Sequence, residues 1–593
     1  MGPGSYRTDA NVNGASTSTF ARYQLDPRVQ GLLFGLCIPT FCDKEDVEKL
    51  LGSLLTSAPV EVSSCVTNEY PPIDTTQACI IAFLVILALV IVVSSAIDIY
   101  HQHKAGPKAK KGLLIKILTV FSAPSSTRLL LEINNDPTSD AYRYRFLHGI
   151  RFFSMFMIIF GHSYSVFNFA NVSRLVNALH YGDNLSFCFI FTGYLSVDTF
   201  LFLGGFLLTY NLLKEKASRI VVIVVAVLRR YIRGTVPAFF VIMFFYLMPL
   251  IADGPNAQLL FKNFYTEVAD QWWSILLQIR NLSGGLETGA FGHLWYLSTD
   301  FQLFVASAIV VQVLRRRPWM TIGTLVTLII ACNSFCTWQM NNEAYTPFVM
   351  PMAETFRSLV ETLNEMYTLP TTHAPAFFAG CICTLLIQKY KEVKMSKVAV
   401  MGCWLVSIGF GFTAVFTMHF WLRGDSPPMW ANMLFAFWNR TLWATWMCWM
   451  AFACATGRAS ILARFLSWSP FVPLSRLCFG VYLVHLPFYF VKYFTAREKL
   501  FFSHFTMVSQ AFAVTIWSYL LSYLVFIACE VPVGRIEKLI LTRARNKRVE
   551  DSNGNMHTLE NGYKPPVKPK QDDEEDDDDS NNGSDNNGQS SYL

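Results

Sequence analysis

Five ionisable side chains stand inside long apolar stretches of the chain: His162, Asp198, Asp300, Arg440 and His485. Arg151 joins them at the edge of the stretch that carries His162. Ionisable groups within a bilayer are costly, so each is a functional candidate by default. Imidazoles at such depth suit general acid–base chemistry or a proton relay, and a guanidinium suits an anionic headgroup. Arg151 and His162 are eleven residues apart. At ~100° per residue they fall roughly 20° from a whole number of turns, with an axial rise of ~16 Å. They therefore share one helix face, a spacing that suits a long ligand held by its anionic head at Arg151 while His162 meets its reactive end. A snorkelling Arg and a His bonded to a backbone carbonyl would show the same spacing. Counted from the ends of their own stretches, His485 and Asp300 reach a depth comparable to His162, and Asp198 lies nearer the midplane. Arg440 is expected to pair with one of the Asp residues. A hydrogen-bonded network that only fixes helix packing is the plainer account of the set.

The composition explains why these groups need a membrane to hold them. The chain has 593 residues, 52% apolar and 15% charged, against roughly 25% charge in soluble domains. Mean hydropathy is +0.34. Fifty Phe and fourteen Trp exceed what one soluble core could cover. Soluble enzymes, nucleic-acid readers and secreted disulfide scaffolds are excluded as accounts of the whole chain, and no nucleic-acid partner is expected. Spans of about 20 mostly apolar residues are expected at 79–96, 149–169, 187–211, 235–252, 294–314, 319–337, 374–389, 398–421, 432–454, 471–491 and 505–529. The fold class is all-α: a polytopic membrane bundle of about 11 transmembrane helices with a small exterior N-terminal domain.

Lys and Arg set the expected orientation. Basic residues crowd the segments after the first span (Lys104, Lys108, Lys110, Lys111, Lys116, Arg128, Arg143, Arg145) and recur in alternate loops. These include Arg229, Arg230 and Arg233, then Arg315 to Arg317, then Lys389 to Lys397. The N-terminus is thereby expected on the lumenal or exterior side and the C-terminus in the cytosol, in the endoplasmic reticulum or plasma membrane. The sequons at Asn171, Asn184 and Asn281 fall in loops on the exterior side, where glycosylation is possible.

Before the first span, Val47, Leu50, Leu51, Leu54 and Leu55 recur at helical spacing. Cys37, Cys42 and Cys65 flank this helix, and a disulfide among them is expected in an oxidising compartment; its pairing is open. Met1 to Ala21 hold no apolar h-region, so the first span is expected to act as the insertion signal, or the chain to lack its true start. At the other end, Asp572 to Asp579 form an acidic run in a tail disordered by composition. Ser591-Tyr592-Leu593 has the form of a strand that a PDZ partner could take up. Arg535, Lys538, Arg543, Arg545, Lys547 and Arg548 are candidates for anionic lipid heads. No metal site is expected, because the His and Cys residues lack zinc-like spacing.

Two functions fit a helical bundle with a deep His and an Arg toward the cytosol. One is an acyltransferase fed with activated acyl donor from one leaflet. The other is a proton-coupled transporter, in which His and Asp form a relay.

The same residues resemble the acyltransferase 3 family of membrane enzymes. Arg145-Phe-Leu-His-Gly-Ile-Arg151 running to Gly161-His162-Ser163 resembles its opening span with an Arg-x10-His motif. Ser196-Val-Asp198 through Gly204-Gly205-Phe206 resembles a second signature, Gly292-His293-Leu-Trp295-Tyr296-Leu-Ser-Thr-Asp300 a third, and Tyr482-Leu-Val-His485 a late His-bearing span. Gly35-Leu-Cys37-Ile-Pro39-Thr-Phe-Cys42 and Ser95-Ala-Ile-Asp98 resemble the end of the N-terminal domain of the nose-resistant-to-fluoxetine animal subfamily, shortened at its start. The resemblance implies five parts: a partial exterior domain over 1–78, a first transmembrane helix over 79–98, a cytosolic basic loop over 99–143, the acyltransferase membrane domain over 144–530 and a cytosolic tail over 531–593. It implies O-acyl transfer from cytosolic acyl-CoA, as co-substrate, to an unknown acyl acceptor at the far side, among membrane lipids; the alternative within the same resemblance is a lipid or amphiphile transporter or a receptor-like relative without catalysis. Carried over, His162 would be the general base and Arg151 would position the donor, with Asp300 and His485 as further catalytic residues. Arg145, Asp198, Trp295, Tyr296, Arg440 and Tyr482 would bind substrate. Gly204 stands where many relatives have Ser, and Asp300 where bacterial relatives often have Glu.

Overall fold

Apolar runs of about 20 residues in a lipid setting must close their backbone hydrogen bonds within the run, which leaves the helix as the available solution. The structure is a computed structural model and describes residues 44–54, 72–106, 112–166, 172–173, 181–215, 217–254, 256–284, 289–341, 345–349, 356–423 and 427–540. Among these the regular structure is helical, apart from one two-residue parallel pair, Val172–Ser173 beside Leu500–Phe501. Among the described residues, ten helices are long and apolar enough to cross a membrane.

Of the expected exterior domain, α1 (Lys44–Leu54) is described. Cys37, Cys42, Cys65 and Asn171 lie outside the described residues, as does everything after residue 540. Helix α2 (Thr75–Ala105) starts four residues ahead of the expected Cys79 because Asp74 caps it. The Asp74 carboxylate accepts the Gln77 N–H at 2.7 Å, and the Gln77 side chain accepts the Asp74 N–H at 3.2 Å. Beyond it, part of the expected basic loop is folded. Short helices α3 (Leu113–Leu118) and α4 (Ala123–Leu131) turn back on α2, where Ser122 Oγ donates to the buried Asp98 at 2.6 Å. Arg535, a candidate for lipid heads, instead clamps this elbow by donating to the Val120 carbonyl at 2.6 Å and to Ser125 Oγ at 2.9 Å.

The bundle follows as α5 (Phe146–Ser165), α6 (Cys188–Lys214), α7 (Arg219–Phe245), α8 (Ala257–Leu276), α9 (Trp295–Val313), α10 (Pro318–Gln339) and α11 (Pro370–Tyr390). Then come α12 (Lys397–Phe416), α13 (Met429–Ala455), α14 (Phe471–Thr495) and α15 (His504–Val525), the last continuing through a π turn at Phe526–Glu530. Helix α13 covers the expected span 432–454, but Asn432, Asn439 and Arg440 leave it less apolar than the ten. Helix α7 begins sixteen residues ahead of the expected 235. Arg229, Arg230 and Arg233, expected in a loop, lie within it, because each has an acid to meet: Glu537 pairs with Arg229 and Arg233, and Asp300 with Arg230.

Lipid tails are as apolar as Leu, so helix association here rests on close packing rather than on water exclusion. Small residues supply it at the two tightest crossings. Where α6 meets α11, a Cβ on Gly205 would run into the Phe377 carbonyl and one on Gly380 into that of Phe202. Where α5 meets α6, a Cβ on Gly193 would lie 2.9 Å from the Met157 carbonyl oxygen, with Gly161 directly opposite. These crossings bury α11 in the centre, 83% of its most apolar stretch against 11% for α2. They also fix the residue after Gly161, which is His162.

Candidate active site

Three imidazoles gather where α5, α9 and α14 converge. His162, three residues before the end of α5, places Nδ1 3.2 Å from His485 Nε2 on α14, and the two rings stack with centroids 5.2 Å apart. His485 Nδ1 faces the carbonyls of Tyr482 at 2.7 Å and Val481 at 3.1 Å. A carbonyl can only accept, so that nitrogen carries the proton, and in the neutral ring Nε2 carries the lone pair. His162 Nδ1 must then donate, which leaves the lone pair of His162 on Nε2. The tautomer of His162 is thus set by the hydrogen bonds that His485 makes to backbone carbonyls. The third imidazole, His293, comes from the turn Gly292–Leu294 that opens α9. Its ring lies 5.6 Å from that of His485 and 5.2 Å from that of Tyr482, and its carbonyl accepts the Tyr482 hydroxyl at 2.8 Å.

Arg151 sits about three turns earlier on α5. Cys478 on α14 donates to its carbonyl at 3.8 Å, so the Arg151 and His162 levels of α5 both lie against α14. The guanidinium is within electrostatic reach of Arg230 and Tyr296. The Tyr296 ring meets that of Tyr482 at 5.3 Å, edge to face, so two tyrosines stand between the arginine level and the imidazoles.

Asp300, one turn after Tyr296, is held by Arg230 on α7. Nε and Nη2 of that arginine both donate to Asp300 Oδ2, at 2.8 and 2.5 Å. Asp300 Oδ1 is buried without a partner among the described residues, and a Cβ on Gly204 would lie 3.2 Å from it. The carboxylate is a counter-ion to Arg230 rather than a neighbour of either His162 nitrogen.

Asp198 lies in a second cluster. Its carboxylate accepts from Arg440 through one oxygen and meets His373 Nδ1 at 2.7 Å through the other. His373 Nε2 meets the Tyr367 carbonyl at 2.8 Å. Trp295 stacks on the His373 ring at 5.2 Å, and the Arg440 guanidinium lies over the Tyr367 ring at 5.3 Å. Trp295 and Tyr296 are consecutive, so α9 presents one aromatic to each cluster.

The other expected residues lie elsewhere. Arg145 binds loops at one end of the bundle, donating to the Ser467 carbonyl at 2.8 Å and to Asn135 Oδ1 at 3.0 Å. Asn184 is exposed. Asn281 is a correction to the expected glycosylation: it is buried, and its amide nitrogen donates to Thr299, Gln302 and the Thr368 carbonyl, which leaves no room for a glycan. It belongs to a cap between α8 and α9, where Arg280 pairs with Glu267 at 3.0 Å. Burial pushes the Glu267 carboxyl above the usual range, against the pull of Arg280.

Three residues of these clusters were missed as site residues: His293, His373 and Arg230. All three fall just outside the expected spans 294–314, 374–389 and 235–252, so the argument from charge within a span passed over them. The cue available was their closeness to a span end. Among the described residues no group of three or more His, Cys, Asp or Glu is arranged to hold a metal ion.

Comparison with known proteins adds a family. Residues 144–527 match the acyltransferase 3 model, described as an acyltransferase domain. The chain is 26% identical over 580 residues to Nose resistant to fluoxetine protein 6 of Caenorhabditis elegans, covering 88% of this chain and 68% of that protein. It is 23% identical over 527 residues to Regulator of hypoxia-inducible factor 1 of the same organism, covering 84% and 97%. No solved structure matches the chain.

Proposed function

The chain belongs to the acyltransferase 3 family, and from that premise we propose that it is a membrane O-acyltransferase. It moves an acyl group from cytosolic acyl-CoA to a hydroxyl of a lipid or other acceptor on the lumenal or exterior side. The observation that carries this reading is the pair His162 Nδ1 and His485 Nε2 at 3.2 Å, which leaves an imidazole lone pair on His162 Nε2. In the reaction, Nε2 takes the hydroxyl proton as the acceptor oxygen attacks the thioester carbon. The new C–O bond forms, the C–S bond breaks, and the departing thiolate takes the proton back from His162. Arg151, ~16 Å away along α5, favours the anionic part of the donor. The basic residues at the Arg145 end of the bundle support a cytosolic face there, with an exterior N-terminus and cytosolic C-terminus in the endoplasmic reticulum or plasma membrane.

Replacing His162 with Ala should lower CoA release from acyl-CoA by roughly 100- to 10,000-fold, the usual weight of a general base. Membrane insertion should be unchanged. Unaltered turnover in that variant removes His162 from the chemistry. A second reading, a lipid or amphiphile transporter, is favoured by the Asp198–Arg440–His373 network, which could relay protons within the bundle. Ligand flux without CoA release would support it over acyl transfer.

A further inference from the structure

His293 is 7% exposed, and both its ring nitrogens lack a hydrogen-bond partner among the described residues. Buried polar groups are nearly always paired, and leaving two unpaired on one ring works against the fold. The nearest polar side chains are committed elsewhere. The Tyr482 hydroxyl donates to the carbonyl of His293 itself. His485 uses Nδ1 on two carbonyls and Nε2 on His162. On the remaining side the Phe291 ring stacks at 6.1 Å and offers nothing polar. The turn that carries His293 leads directly into α9, whose N-terminal peptide dipoles favour a neutral ring over an imidazolium. The Tyr482 and Leu483 carbonyls lie within electrostatic reach of the ring, but neither meets the geometry of a hydrogen bond, so a neutral imidazole here has one N–H that a better-placed acceptor could take.

We propose that His293 is a second catalytic imidazole, whose N–H holds the carbonyl oxygen of the acyl group being transferred. This rests on the acyl-transfer reading and deepens it. As the acceptor oxygen attacks, the carbonyl electron pair moves onto the oxygen held by His293. When the pair returns, the C–S bond breaks. His293 keeps its proton throughout, while the proton of the acceptor passes through His162 to the thiolate. The ligand it takes is therefore a thioester carbonyl that becomes an oxyanion. Donors placed in advance where charge develops are among the largest contributions an enzyme makes.

The test uses the full chain in native membranes with palmitoyl-CoA as probe and free thiol as the readout. His293→Leu should lower kcat by roughly 100- to 1,000-fold, the usual effect of losing one oxyanion donor, with KM for palmitoyl-CoA little changed. Its thermal midpoint should match or exceed that of the unaltered protein, because an unpaired polar ring has been replaced by an apolar group of similar size. His293→Gln and His293→Asn carry an amide N–H near Nε2 and Nδ1 respectively; at least one should turn over about tenfold faster than His293→Leu. A His293→Leu variant as fast as the unaltered protein, or two amide variants no faster than Leu, overturns the role of His293. Absence of thiol release from the unaltered protein overturns acyl transfer itself.

Discussion

Two buried polar clusters meet on α9, where Trp295 faces one and Tyr296 the other. Around Asp198, each carboxylate oxygen and each His373 nitrogen has a partner. Around His162, the hydrogen bonds fix a tautomer and then stop, leaving Nε2 of His162 with a lone pair and both His293 nitrogens without partners among the described residues. Charge differs as well: the Asp198 cluster sets a carboxylate against a guanidinium, whereas the imidazole cluster can be neutral. A closed ionic cluster resists being broken, since removing one member strands a charge in a low-dielectric interior. An open neutral cluster loses little stability when a member is replaced, because its hydrogen-bonding capacity is reserved for something that is not part of the fold. The contrast separates a device for holding helices together from a device for meeting a substrate.

The largest expected effect breaks the closed cluster. Asp198→Leu should cost about 3–5 kcal/mol of stability by leaving the largely enclosed Arg440 without its counter-ion, measured by unfolding in mild detergent. The double variant Asp198→Leu with Arg440→Met should regain most of that loss. A single variant as stable as the unaltered protein would mean that this pair does not secure α6 to α13. Next, His485→Phe releases the tautomer of His162 while keeping the ring volume. It should slow CoA release by roughly 100- to 10,000-fold, as the loss of a group that orients a catalytic His does, with the midpoint nearly unchanged. A variant that unfolds early but turns over normally would reverse the assignment of the two clusters. Smallest is Tyr482→Phe, which deletes the hydrogen bond to the His293 carbonyl; one neutral bond is worth about 1 kcal/mol, so kcat/KM should fall roughly fivefold. No change in either turnover or midpoint would show that this hydroxyl does not position His293.

What was legible in the residue order was whatever depends on local periodicity and on the cost of charge in lipid. Long apolar runs had to become helices, and the positions of His162, Asp198, Asp300, Arg440 and His485 inside them followed from composition alone. Helix starts were less legible. Asp74 draws α2 forward by capping it, and the arginines of α7 are admitted by carboxylates contributed from α9 and from beyond α15, partners that no local window contains.

By itself the sequence determined the helices, their approximate places along the chain and the shared face of Arg151 and His162, because each follows from 3.6-residue periodicity and transfer energetics. The partners were decided by tertiary structure alone. Nothing local distinguishes Asp198, which meets Arg440 and His373, from Asp300, which meets Arg230, or tells that two histidines from distant helices share a proton. Those outcomes depend on which glycines let which helices approach, and so on distances between segments that lie from 70 to 323 residues apart in the chain.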